Sequence, residues 1–227
     1  MFPINVVFQN TILSLFPIYL FAYIYLVRSR RKWDTFTRAI STINALQCTF
    51  MVLNVVKNEL FNPNIFSLSY SPTDYYTNSL FMFAGYLFVD GLFALPDLYT
   101  NFSFGLILSI AHHAIGCYGI YLIAVTRLGF FLGFYFAMTE ISTPLLNLSW
   151  YYRHNVLFIL FYILFFMYRI TTIPILLKYL SNNASEIYKL DPIRVFMSFY
   201  ASYALIALNI IWFFFITQKV SEMSKKM

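Results

Sequence analysis

The chain has 227 residues, 60% hydrophobic and only 11% charged, with mean hydropathy +0.69 and a net charge of +6. A soluble domain carries about 25% charged residues, so this composition excludes a water-soluble protein and indicates one polytopic membrane domain. The positive balance is not a nucleic-acid signature: Arg28, Arg30, Arg31 and Lys32, then Lys219, Lys225 and Lys226, cluster at the ends of apolar segments, where cytosolic anchoring charge belongs.

Seven spans are predicted in chain order, over about 4–27, 36–57, 79–98, 102–123, 128–147, 155–178 and 195–217. The first has no basic leader and no small-residue cleavage site, and reads as a retained helix. The second carries Arg38, Ser41, Asn44, Gln47 and Asn54 and should face other helices rather than lipid. The fourth and fifth are joined by a tight turn at Thr126-Arg127 and form a hairpin. Pro144 and Pro174 predict kinks, which neighbouring helices and threonines can accommodate. The positive-inside rule puts the basic turn after the first span and the basic tail in the cytosol, with the amino terminus outside. Arg127, Lys178 and the loops 58–78 and 179–194 then fall on the external face. Of the two sequons, Asn183 is expected outside and Asn101 inside. Cys48 and Cys117 lie within spans and read as small apolar groups, not a disulfide.

Ionisable groups at membrane depth carry the functional signal, because each costs roughly 2–4 kcal/mol on insertion scales. His112 and His113 occupy the middle of the fourth span, Glu140 the fifth, Asp90 the third and Arg169 the sixth. Helical spacing puts Gly105, Ser109, His112, Gly116 and Gly119 in one stripe, with His113 about 100° away. One histidine is therefore expected to line a cavity and the other to meet a neighbouring helix. Gly129, Gly133, Phe136, Glu140, Thr143 and Asn147 share a face of the fifth span. The expected site is catalytic at His112, His113 and Glu140, and ligand-binding at Asp90, Ser109, Thr143, Asn147 and Arg169. The alternative is a set of interhelical pairs that only fix packing.

Several chemistries are absent from the sequence. Three histidines are too few for the histidine boxes of di-iron desaturases, and there is no HExxH, no GxSxG and no Gly-rich phosphate loop. The histidine pair lacks the adjacent cysteine of a palmitoyltransferase. No metal site and no cofactor are expected.

The runs AHHAIGCYGIYLI and TEISTPLLNLSWYYR resemble the TLC-domain family, the TRAM, Lag1 and CLN-type membrane proteins. RAISTINAL, GYLFVDGLFAL and MYRITTIPILL add weaker support, and the likeness covers about residues 33–217. It leaves 1–32 as a first helix with its basic turn and 218–227 as a basic tail. The resemblance implies an all-α polytopic transmembrane helical bundle in which six helices ring a central cavity and the first lies outside. The family includes ceramide synthases, which join a fatty acyl group from acyl-CoA to a sphingoid amine. Their motif aligns its first acidic position with Glu140; Thr143 replaces the second and Thr139 the motif histidine. The TEISTP form is similar to the TLC-domain subgroup that does not make ceramide and is linked to lipid homeostasis. The resemblance thus implies a membrane lipid or acyl chain as partner, with influence on membrane lipid composition and residence in the endoplasmic reticulum or another endomembrane. The alternatives are an acyltransferase with acyl-CoA as substrate, and a non-catalytic trafficking or structural role.

Overall fold

The computed structural model describes residues 5–59, 61–70, 73–100, 102–192 and 197–225. Among the described residues ten α-helices follow in chain order: α1 Val6–Leu26, α2 Arg30–Glu59, α3 Asp74–Thr100, α4 Phe104–Thr126, α5 Phe130–Thr139, α6 Thr143–Tyr152, α7 Asn155–Phe165, α8 Ile173–Asn182, α9 Ala184–Ile187 and α10 Ser202–Ser224. Six helical stretches among the described residues are long and apolar enough to cross a membrane: Val6–Leu26, Arg30–Glu59, Asp74–Tyr99, Phe104–Thr126, Asn155–Asn182 and Phe199–Met223. The expected 128–147 span is present as α5 and α6, each too short to cross alone and joined by a 3-10 turn at Glu140–Ser142.

Both broken passes have local causes. Pro144 at the start of α6 supplies no N–H, and the Thr143 N–H bonds back to the Glu140 carbonyl, which tightens the turn. In the next pass a π-helical turn, Phe166–Ile170, lies just before Pro174, and the Thr171 N–H reaches the Phe166 carbonyl. The α-helical hydrogen bonding is therefore interrupted at Glu140 and at Arg169, each time just before a proline.

The bundle closes as a ring. α2 packs on α3 and α6, α6 on α7, α7 on α10, α10 on α4, and α4 on α3. α1 lies outside against α2 and α3, fixed by an aromatic cluster of Tyr19, Tyr23, Trp33, Phe36 and Phe93. α5 is buried on every side and touches both α2 and α4. A helix that is apolar all round must sit in an interior, and this one plugs one half of the ring.

The helix ends define two faces. One carries Arg28, Arg30, Arg31, Lys32 and Arg153; there Arg30 pairs with Asp97 at 3.0 Å. At the opposite face Arg127 pairs with Asp74, and a loop closes over the base of α5. The Gly129 N–H donates to the Leu68 carbonyl at 2.8 Å. The Asn183 carboxamide accepts from the Leu68 N–H at 3.1 Å and donates to the Phe66 carbonyl at 3.1 Å. Asn183 is 8% exposed, so its carboxamide is engaged in the fold rather than offered for modification. The Asn101 sequon lies outside the described residues.

Candidate functional site

The half of the ring left open by α5 contains a cavity of about 410 Å³, within the ~300–1,000 Å³ of small-molecule sites. Each of the six ring passes lines it: Ser41 from α2, Tyr86 from α3, His112 from α4, Glu140 and Thr143 at the α5–α6 break, Phe165 and Arg169 from the next pass, and Trp212 from α10. Its inner end is polar and its outer end aromatic. Phe158 and Lys219 lie toward the basic face, with the Lys219 ammonium 4.5 Å from the Phe158 ring centre.

Glu140 organises the inner end. Its Oε1 lies 3.6 Å from Arg169 Nη2 and 3.7 Å from His112 Nε2, while its Oε2 accepts from the Thr143 hydroxyl at 2.9 Å. Both separations are longer than a direct hydrogen bond; the one to Arg169 is a charge contact, and the one to His112 becomes one when the imidazole is protonated. Arg169 is held from several sides. Its Nε donates to the Thr139 carbonyl at 2.8 Å and its Nη1 to Asn209 at 3.2 Å, with its guanidinium over the Phe165 and Trp212 rings. The Thr139 carbonyl is free to accept because the 3-10 turn directs the Thr143 N–H to Glu140 instead. The helix break and the guanidinium anchor are one device.

The histidines divide the walls between them. His112 meets Glu140 and stands edge-on to Trp212, ring centres 5.2 Å apart. His113 turns toward α3, its Nδ1 3.3 Å from Asp90 Oδ2. This contact lies within ion-pair reach but is not aligned as a hydrogen bond, and the Nδ1 atoms of both histidines are buried without a hydrogen-bond partner. Asp90 itself accepts from the Tyr19 hydroxyl at 2.6 Å. A Cβ at Gly91 would come 3.1 Å from His113 Cβ, so α3 and α4 approach closely just where the ring turns inward.

The expected residues therefore separate into three groups. His112, His113, Glu140, Ser109, Thr143 and Arg169 line one cavity. Asp90 stands behind His113 and reaches the site through it. Asn147 does not line the cavity: its carboxamide bonds the Arg38 carbonyl at 3.1 Å and the Thr42 hydroxyl at 3.0 Å, tying α6 to α2. Both histidines border the hollow, and His113 also meets a neighbouring helix through Asp90 of α3. Sequence reading missed Tyr19, Asn209, Trp212 and the aromatic outer wall. Tyr19 and Asn209 are polar groups in apolar spans and could have been found as such; Trp212 has no signal that distinguishes it from ordinary membrane bulk.

Comparison with known proteins gives one finding. The family model for the TLC domain of the TRAM, Lag1 and CLN-type proteins matches residues 32–218. The chain belongs to the TLC-domain family of polytopic membrane proteins. No curated protein and no solved structure gives a significant match.

Proposed function

We propose that this protein takes a membrane lipid or acyl chain into the central cavity and thereby influences membrane lipid composition, from the endoplasmic reticulum or a related endomembrane. One observation carries the reading: a cavity of about 410 Å³ whose inner end holds imidazole, carboxylate and guanidinium groups and whose outer wall is aromatic. A cluster that served only to join helices would close on itself. Here the Glu140 contacts stand at 3.6 and 3.7 Å, and the imidazole, carboxylate and guanidinium side chains border open space. A lipid carbonyl or hydroxyl would meet these groups, and its chain would lie along Phe158, Phe161 and Phe165. No cofactor enters this reading.

Native mass spectrometry of the full-length protein, released from mild detergent, tests it. The wild type should retain a lipid adduct that Glu140→Gln and Phe161→Ala reduce. A wild type that never carries lipid overturns the reading.

The Tyr19–Asp90–His113 chain favours acyl transfer as a second reading. Asp90, held by Tyr19, stands 3.3 Å from His113 Nδ1, and a small turn of the ring would align the two as the base-and-carboxylate pair that activates an acceptor. An amine or hydroxyl acceptor would give its proton to imidazole and attack the acyl carbonyl of acyl-CoA. The coenzyme A thiolate would leave and take the proton. Turnover of labelled acyl-CoA by wild type, lost in His113→Ala with the fold intact, would decide for this reading.

A further inference from the structure

A second hollow, of about 450 Å³, opens between α1, α2 and α3 in the half of the membrane away from the basic face. Its lining includes Asn10 and Ser14 from α1 and Asn44 and Gln47 from α2, and none of its residues is charged. Asn44 is 5% exposed, and its Oδ1 has no hydrogen-bond partner. Its amide nitrogen reaches only the Cys48 sulfur, at 3.9 Å. Among the described residues, Asn10, Ser14 and Gln47 also make no side-chain hydrogen bond. Polar side chains at this depth normally bond across the helix interface, because hydrocarbon offers them nothing. Here the helices do not close over them. At this level α1 is seated hard against α3, where a Cβ at Gly85 would come 2.8 Å from Thr11 Cγ2.

We infer that this crevice binds the free hydroxyl of an uncharged membrane lipid, a sterol or a diacylglycerol. The Asn44 oxygen is unpaired but turned inward, and a rotation of the carboxamide about its terminal torsion brings it to the crevice that the residue lines; there it needs a donor, and the neighbouring carboxamides can donate or accept. A hydroxyl satisfies both demands in one atom. The absence of charged groups disfavours a phosphate headgroup, and Leu15, Ile40, Ile43 and Met82 supply apolar walls for the hydrocarbon. A helix from a second copy, laid on the exposed ridge, would reach Asn10 and Ser14 but not the buried Asn44. Tyr86 lines both this crevice and the central cavity, so the two stand back to back but present different chemistries.

The test uses the full-length protein in phosphatidylcholine nanodiscs with labelled cholesterol, labelled diacylglycerol and the O-methyl ether of each. The free-hydroxyl form of at least one should bind about tenfold more tightly than its ether; which one identifies the source. Asn44→Leu should lose this preference. Asn10→Leu with Gln47→Leu, at less buried positions, keeps the test open should Asn44→Leu not fold. Glu140→Gln should leave the preference in place, which separates this site from the central cavity. Equal binding of alcohol and ether overturns the inference, as does full binding by the double variant. So does a change from dimer to monomer in the double variant without loss of lipid, which would give the face to a second copy.

Discussion

The two halves of the ring are built by opposite rules. On the side closed by α5, Phe130, Tyr135 and Ala137 sit in a solid interior with Leu80, Ile120, Leu176 and Leu180. On the basic side the same helices surround open space, and unlike charges stand where apolar groups would otherwise meet. The boundary falls at the 3-10 turn of Glu140–Ser142 and the π turn of Phe166–Ile170. Association of apolar helices in lipid rests on van der Waals packing and a few polar contacts. A hollow therefore persists only where something forbids collapse, and here the two interrupted helices and a fixed guanidinium do so.

Arg169→Leu should produce the largest effect. It leaves Glu140 buried without its cation and removes the partners of the Thr139 carbonyl and Asn209, so about 3–5 kcal/mol of stability should be lost. Thermal unfolding in detergent measures it. Adding Glu140→Leu should restore much of the loss, since replacing a buried pair outright is far less costly than halving it. A double variant no more stable than the single one would show that the charges do not act as a pair.

The solid half should respond differently. Leu80→Ala removes a side chain that is 2% exposed and packed where a Gly133 Cβ would touch it at 2.9 Å. Roughly 3 kcal/mol should be lost through the cavity it creates, while lipid retained in the central cavity stays unchanged. Loss of retained lipid on this substitution would erase the distinction between the halves.

Much of this division was legible in the chain. Apolar length marked six stretches long enough to cross a membrane, while the expected 128–147 span is two short helices about a 3-10 turn. The charged positions stood out because hydrocarbon penalises them. Their pairing did not: spacing along one helix says nothing of which neighbour a side chain meets across the ring. Asn147 shows the limit. It shares a helical face with Glu140 yet binds α2, because the 3-10 turn breaks the periodicity between them. Asn183 shows another, since a local triplet cannot reveal that a distant loop uses its carboxamide.

Tyr19→Phe probes a link between the outer helix and the cavity. The Tyr19 hydroxyl donates to the Asp90 carboxylate at 2.6 Å from a side chain with no exposure. A hydrogen bond to a charged group contributes about 1.5–3 kcal/mol, so stability should fall by that order. If His113 depends on Asp90 for its orientation, retained lipid or turnover should fall as well. Stability loss with no change in either would confine α1 to a structural role.

The smallest effect lies outside the membrane, at the closed end. Burial, and then the hydrogen bond to Glu59, push the Tyr70 phenol up to about 12. The folded state thus holds this proton more firmly than the unfolded chain, whose tyrosines titrate near 10. The resulting stability is fully present below about pH 10 and is lost as pH rises from there towards 12. Thermal melts of wild type and Tyr70→Phe should therefore differ by a constant amount at neutral pH and converge across that window. Glu59→Gln should behave as Tyr70→Phe does if the pair acts as a unit. A gap that widens with pH would show that the phenol is not the group being held, and would leave the loop over α5 anchored by Asn183 and the Gly129–Leu68 bond.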